Sequence, residues 1–89
     1  MVRKKMVIGN KLGLHARAAV KFVNLANRYN SRVRIVKDGS EIDGKSILGI
    51  LTLAATRGSS VTLKVAGRDE RQALEALANL IRNKFEETE

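Results

Sequence analysis

The chain has 89 residues with 17 Lys/Arg against nine Asp/Glu, a formal charge of +8 at pH 7, and neither Cys nor Pro. That length sets an expectation of one small domain over 1–89 with only partial burial, and the lack of Cys excludes a disulfide scaffold or a zinc knuckle and fits a reducing compartment. No apolar run approaches the ~20 residues of a membrane span, and the Met6-Val7-Ile8 run after the basic start is too short for a secretory signal; a soluble, cytoplasmic chain without membrane insertion is expected.

A first strand is predicted at Lys4–Ile8, ended by Gly9-Asn10 and Gly13. A helix follows from Ala16 to about Arg28. Ala16, Ala19, Val20, Val23 and Ala26 form its apolar stripe, and Arg17, Lys21, Asn24 and Arg28 its wet one. Arg32–Lys37 alternates as a strand with Val33 and Ile35 on one face. Asp38-Gly39 then signals a hairpin turn into Glu41-Ile42-Asp43.

Ser46 reads as the N-cap of a short helix from Ile47 to about Ala54. Ile47, Ile50, Leu51 and Ala54 share one face of that helix, which leaves Leu48 at the edge, and Gly49 suggests a close backbone approach. Ser60–Ala66 alternates with Val61, Leu63 and Val65 inward. Asp69 and Gln72 give a weak capping-box signal for a last helix carrying Leu74, Leu77, Ala78, Ile81 and Phe85 inward, with Arg71, Glu75, Asn79 and Arg82 outward. The order is βαββαβα. Alternating strands need one dry face, which three amphipathic helices can cover, so an α+β fold with an antiparallel sheet follows. The pattern leaves the strand order open between a ferredoxin-like arrangement and an open-faced sandwich.

Charge is unevenly placed. Residues 1–37 carry ten Lys/Arg and no Asp/Glu, so the net positive charge resides there, around the sole histidine. Such a field steers acidic proteins or phosphate-bearing donors and equally suits nucleic acid.

His15 lies in Gly13-Leu14-His15-Ala16-Arg17-Ala18-Ala19, at the start of the first predicted helix. A helix N-terminus carries unpaired amides and partial positive charge. A phosphoryl group on the imidazole would meet the N–H groups of Ala16, Arg17 and Ala18, and Arg17 offers a planar donor fork for its oxygens. Free imidazole has a reference pKa of ~6.5, so a nitrogen lone pair is available near neutrality. A plain surface cap is the competing reading of His15. A metal site lacks a second His or any Cys, and a hydrolase lacks a nucleophile-elbow motif.

Gly13-Leu14-His15-Ala16-Arg17 resembles the active-site signature of the histidine-containing phosphocarrier (HPr) family of the bacterial phosphotransferase system. Gly44-Lys45-Ser46-Ile47-Leu48-Gly49-Ile50-Leu51 resembles that family's regulatory-serine region, at the family's usual spacing. Ala18 departs from the pattern, which usually has proline there. The resemblance spans nearly the whole chain and implies a single HPr-like domain, an open-faced sandwich with strand order 1-4-2-3.

It also implies a phosphocarrier in sugar uptake rather than an independent enzyme. Enzyme I, charged by phosphoenolpyruvate, would phosphorylate Nδ1 of His15, and enzyme IIA domains would receive the group, with no cofactor required. In part of the family HPr kinase/phosphorylase modifies the serine matching Ser46, and the positions matching Ile47, Leu48 and Leu51 dock partners, Leu48 foremost. A monomer is expected. A nitrogen-related or regulatory phosphotransfer paralogue is the alternative within the family, although the catabolite-repression paralogue has its reactive histidine replaced. A small basic nucleic-acid-binding domain is the alternative from another class. Sheet-type single-strand binders stack bases on strand aromatics, and Phe22, Tyr29 and Phe85 lie outside the predicted strands, so no nucleic-acid partner is expected.

Overall fold

The computed structural model of the chain describes residues 1–87. Its elements are β1 (Val2–Val7), α1 (Ala16–Ala26), β2 (Arg32–Lys37), β3 (Ser40–Asp43), α2 (Ile47–Leu53), β4 (Ser60–Ala66) and α3 (Glu70–Arg82), followed by a 3₁₀ turn at Lys84–Glu86. The four strands form one antiparallel sheet in the order β1-β4-β2-β3. This is the open-faced sandwich, and it closes the choice that periodicity left open.

Period-2 alternation puts Val33, Ile35, Val61, Leu63 and Val65 on the face covered by the helices, all buried. Phe22 from α1, Ile50 from α2 and Leu77 from α3 complete one hydrophobic cluster with them. Asp38 and Gly39 both take positive φ, 51° and 83°. Two such residues build the tight turn whose twist matches a hairpin.

Several boundaries and faces differ from expectation. β1 begins at Val2 and ends at Val7, because its pairing with β4 runs from Val2↔Val65 to Val7↔Ser60. α1 stops at Ala26, where the amides of Arg28 and Tyr29 turn to i−3 carbonyls. Its dry stripe is Ala18, Ala19, Phe22, Val23 and Ala26, while Ala16 and Val20 are exposed. Burying the Phe22 ring removes more apolar area from water than burying Val20, and this sets the rotation of the helix.

In α2 only Ile50 and Leu53 are buried. Ile47 and Leu51 therefore do not belong to the core, and Ala54 ends the helix in the left-handed region at φ 51°. Seven residues make about two turns, too few to bury a broad stripe. The expected capping box on α3 is absent. The Asp69 carboxylate instead accepts from the amides of Asn30 and Ser31 and from the Ser31 hydroxyl, while Glu70 accepts from Gly67 N–H at 3.1 Å. Phe85 lies beyond α3 but is fully buried. Lys84, Phe85 and Glu86, at φ 56°, 56° and 63°, turn the chain back across the fold.

Candidate functional site

The loop from Asn10 to Leu14 delivers His15 to the start of α1. Gly13 takes φ +65°, and a Cβ there would lie 2.4 Å from the Ala55 carbonyl oxygen. Both the conformation and the space demand glycine. On either side, Gly13 N–H donates to the Asn10 carbonyl at 3.2 Å and Leu14 N–H to that of Ala55 at 2.9 Å. Leu14 is itself buried, so the residue before the histidine is anchored.

His15 is the N-cap of α1 with extended backbone, φ −78° and ψ 179°, and its side chain caps nothing. The first α-helical amide bond runs from Ala19 N–H to the His15 carbonyl at 2.8 Å. The amides of Ala16, Arg17 and Ala18 therefore belong to the open first turn, where helices attract anions. Arg17 is exposed, on the solvent side of that turn. Ala18 is fully buried.

The imidazole turns instead to the C-terminal segment. Its Nε2 lies 2.5 Å from Oε2 of Glu87, and the side chains are 23% and 15% exposed. The other oxygen, Oε1, accepts from Asn10 Nδ2 at 3.0 Å, and the same Nδ2 donates to the Gly13 carbonyl at 2.8 Å. Burial acts to raise the Glu87 carboxyl. The hydrogen bonds from His15 and Asn10, with the charges of His15 and Lys21, outweigh it and hold the group below its ordinary value. Glu87 is thus ionised at neutral pH and can only accept hydrogen bonds. The proton of the short contact sits on Nε2, and in the neutral ring Nδ1 keeps the lone pair.

Lys21 Nζ donates to the Phe85 carbonyl at 2.7 Å and lies 3.9 Å from Glu86, so a residue of the wet stripe of α1 also ties down the tail. Asn10, Lys21 and Glu87 carry no local signal of these roles. The contacts that tie them to the C-terminal segment span 64 to 77 positions of the chain.

Ser46 caps α2, its Oγ accepting from Gly49 N–H at 3.0 Å. A Cβ at Gly49 would lie 3.3 Å from that same oxygen, which accounts for glycine inside a short helix. Leu48 is 72% exposed, Ile47 39% and Leu51 38%; Leu12 and Val20 are further exposed apolar side chains. All three docking candidates are therefore on the surface. Among the described residues no group of three or more His, Cys, Asp or Glu is placed to hold a metal ion, and no helix is long and apolar enough to cross a membrane.

Residues 2–83 match the family model described as the PTS HPr component phosphorylation site. The phosphocarrier protein HPr of Cupriavidus necator is 47% identical over 89 residues, covering 100% of both chains. The HPr-like protein Crh of Bacillus subtilis is 47% identical over 78 residues, 88% of this chain and 92% of that one. A crystal structure of HPr-C-His from Thermoanaerobacter tengcongensis superposes with a TM-score of 0.97 at 40% identity, covering 100% of both chains. With its sandwich topology, its histidine at the start of α1 and these full-length relatives, the chain belongs to the HPr family of phosphocarriers of the phosphotransferase system.

Proposed function

We infer that His15 is the phosphoryl acceptor of this phosphocarrier, that enzyme I is its donor and that enzyme IIA domains are its acceptors. The observation that carries this is the grip of Glu87 on Nε2, which leaves Nδ1 as the nucleophile at the open end of α1. The Nδ1 lone pair attacks phosphorus, the bond from phosphorus to the donor atom on enzyme I breaks, and that donor keeps the electron pair. The Ala16, Arg17 and Ala18 amides and the Arg17 fork then receive the anionic oxygens. Charge on this group is stabilised without being neutralised covalently, so the group remains transferable. The chain works as a relay, not as an independent catalyst.

Ile47, Leu48 and Leu51 form the apolar docking patch beside the site. A modest exposed patch suits a carrier that must bind and release two partners in turn. Ser46 is the modification site in this reading, and HPr kinase/phosphorylase the enzyme that acts on it. The presence of His15 favours the carrier over a purely regulatory paralogue.

Incubation with enzyme I and phosphoenolpyruvate, followed by mass analysis, tests the assignment. An acid-labile phosphoryl adduct is expected on the wild-type chain and none on His15→Ala, whose circular dichroism stays native. Acid-labile labelling of the variant would overturn it.

A further inference from the structure

The sheet face that the helices leave bare carries a row of cations in strict register. Arg3 on β1 stands directly opposite Lys64 on β4, and Lys64 stands opposite Arg34 on β2. Lys5 and Arg32 share this face by strand parity. Like charges placed directly opposite one another destabilise a sheet, so the Arg3–Lys64 and Lys64–Arg34 pairings do not themselves favour the fold. Protection of an exposed edge by charge accounts for Arg3 and Lys5 on the edge strand β1. It does not account for Lys64 and Arg34, which lie on the two interior strands.

Glu41 on β3 shares this face with the row. Its carboxyl is held below the ordinary value first by the hydrogen bond from Lys64, against the opposing effect of burial, with lesser contributions from the charges of Lys64, Arg34 and Arg3. Lys64 Nζ reaches Glu41 Oε1 at 2.9 Å, and Arg34 stands opposite Asp43 on β3. These two carboxylates offset part of the row, while Arg3, Lys5 and Arg32 keep the face net positive.

We propose that this bare sheet face, centred on Arg3, Lys64 and Arg34, is a second docking surface, and that its occupant is the acidic surface of a protein partner. Charge complementarity selects an anionic partner. Two features favour protein over nucleic acid. The strands contain no aromatic side chain on which a base could stack. Val7, 58% exposed, and Val36 also lie on this face among the cations, which gives the mixture of apolar and charged surface that protein interfaces use. Arg3, Lys64 and Arg34 lie on the side of the sheet away from the helices, and Arg3 is at the opposite end of β1 from the loop that carries His15. A protein bound there leaves the phosphoryl site free to exchange.

The isotopically labelled full chain is titrated with a short oligoglutamate peptide and, separately, with a short DNA duplex, each at low and at physiological salt. The peptide is expected to shift the backbone amides of Arg3, Arg34 and Lys64 first. The pair Arg34→Gln with Lys64→Gln is expected to weaken peptide binding about tenfold, while Arg68→Gln with Arg71→Gln, an equal charge change off the sheet, alters it less than about twofold. Arg3→Gln, at an exposed edge position, gives an independent variant expected to weaken binding in the same sense. Phosphoryl acceptance from enzyme I is expected to be unchanged in the sheet variants, so failure of this proposal is distinguishable from failure of the His15 assignment. Equal weakening by the sheet pair and the control pair would overturn it, as would shifts centred on α1 and α2, or tighter binding of the duplex than of the peptide at this face.

Discussion

The Glu87 carboxylate sits 2.5 Å from Nε2 of His15, although 72 positions separate the two residues in the chain. The contact does two things at once. It fixes the ring orientation and it assigns the proton to Nε2, so the tail of the protein leaves Nδ1 as the nitrogen with the free lone pair, the nucleophile of the proposed function. Glu87→Gln keeps the size but weakens a charge-assisted hydrogen bond, and Glu87→Ala removes it. Transfer from enzyme I is expected to fall roughly threefold for Gln and tenfold for Ala, the scale of about 1 kcal/mol for such a bond near solvent. Nitrogen chemical shifts of the His15 ring check the cause, since the variants should lose the preference for the Nε2–H form.

Phe85 anchors that tail. Its ring is fully buried while its backbone, with those of Lys84 and Glu86, is left-handed. Phe85→Ala is expected to cost about 3–5 kcal/mol in denaturant unfolding. It should also release Glu87 from His15, so the surviving folded fraction should transfer as slowly as Glu87→Ala.

Arg17 is exposed on the first turn of α1, so neither Arg17→Ala nor Arg17→Lys should unfold the protein. Lysine keeps the charge but not the planar fork. Transfer is expected to fall about tenfold for alanine and less for lysine. Equal rates in a rapid-quench comparison of the three proteins would remove Arg17 from the site.

Ser46 separates stability from docking. Ser46→Ala loses the bond to Gly49 N–H and should cost ~0.5–2 kcal/mol while transferring normally when folded. Ser46→Asp should keep the cap, since a carboxylate suits the positive end of the helix, yet slow transfer by placing charge next to Leu48. Thermal unfolding and the enzyme I rate, measured on both variants, should therefore move in opposite directions.

Asp69 governs a pH dependence remote from the site. The Ser31 hydroxyl, then the Asn30 and Ser31 amides, lower its carboxyl below the ordinary value. A lowered folded value means that the stabilisation is complete above the unfolded-chain value of ~3.9 and is lost as pH falls through the folded one. Thermal unfolding between neutral and strongly acid pH should show this loss, and Asp69→Asn should flatten that part of the profile.

The element order, the β2–β3 turn, the inward faces of β2 and β4, the Ser46 cap and the placing of His15 at a helix start are all legible in the sequence. They rest on local periodicity and on residues whose own conformational preferences act within a few positions, such as Gly39 and Ser46. The HPr resemblance added the strand order, which periodicity left undecided because alternation reveals faces and not neighbours. Only the tertiary structure decided that α1 turns Phe22 rather than Val20 inward, because burial on the sheet rewards the larger ring. It alone turned the Asp69 carboxylate from its own helix toward Ser31. It alone joined His15 and Asn10 to Glu87, and Lys21 to Phe85, since those contacts link early and late parts of the chain and leave no trace in the spacing of residues along it.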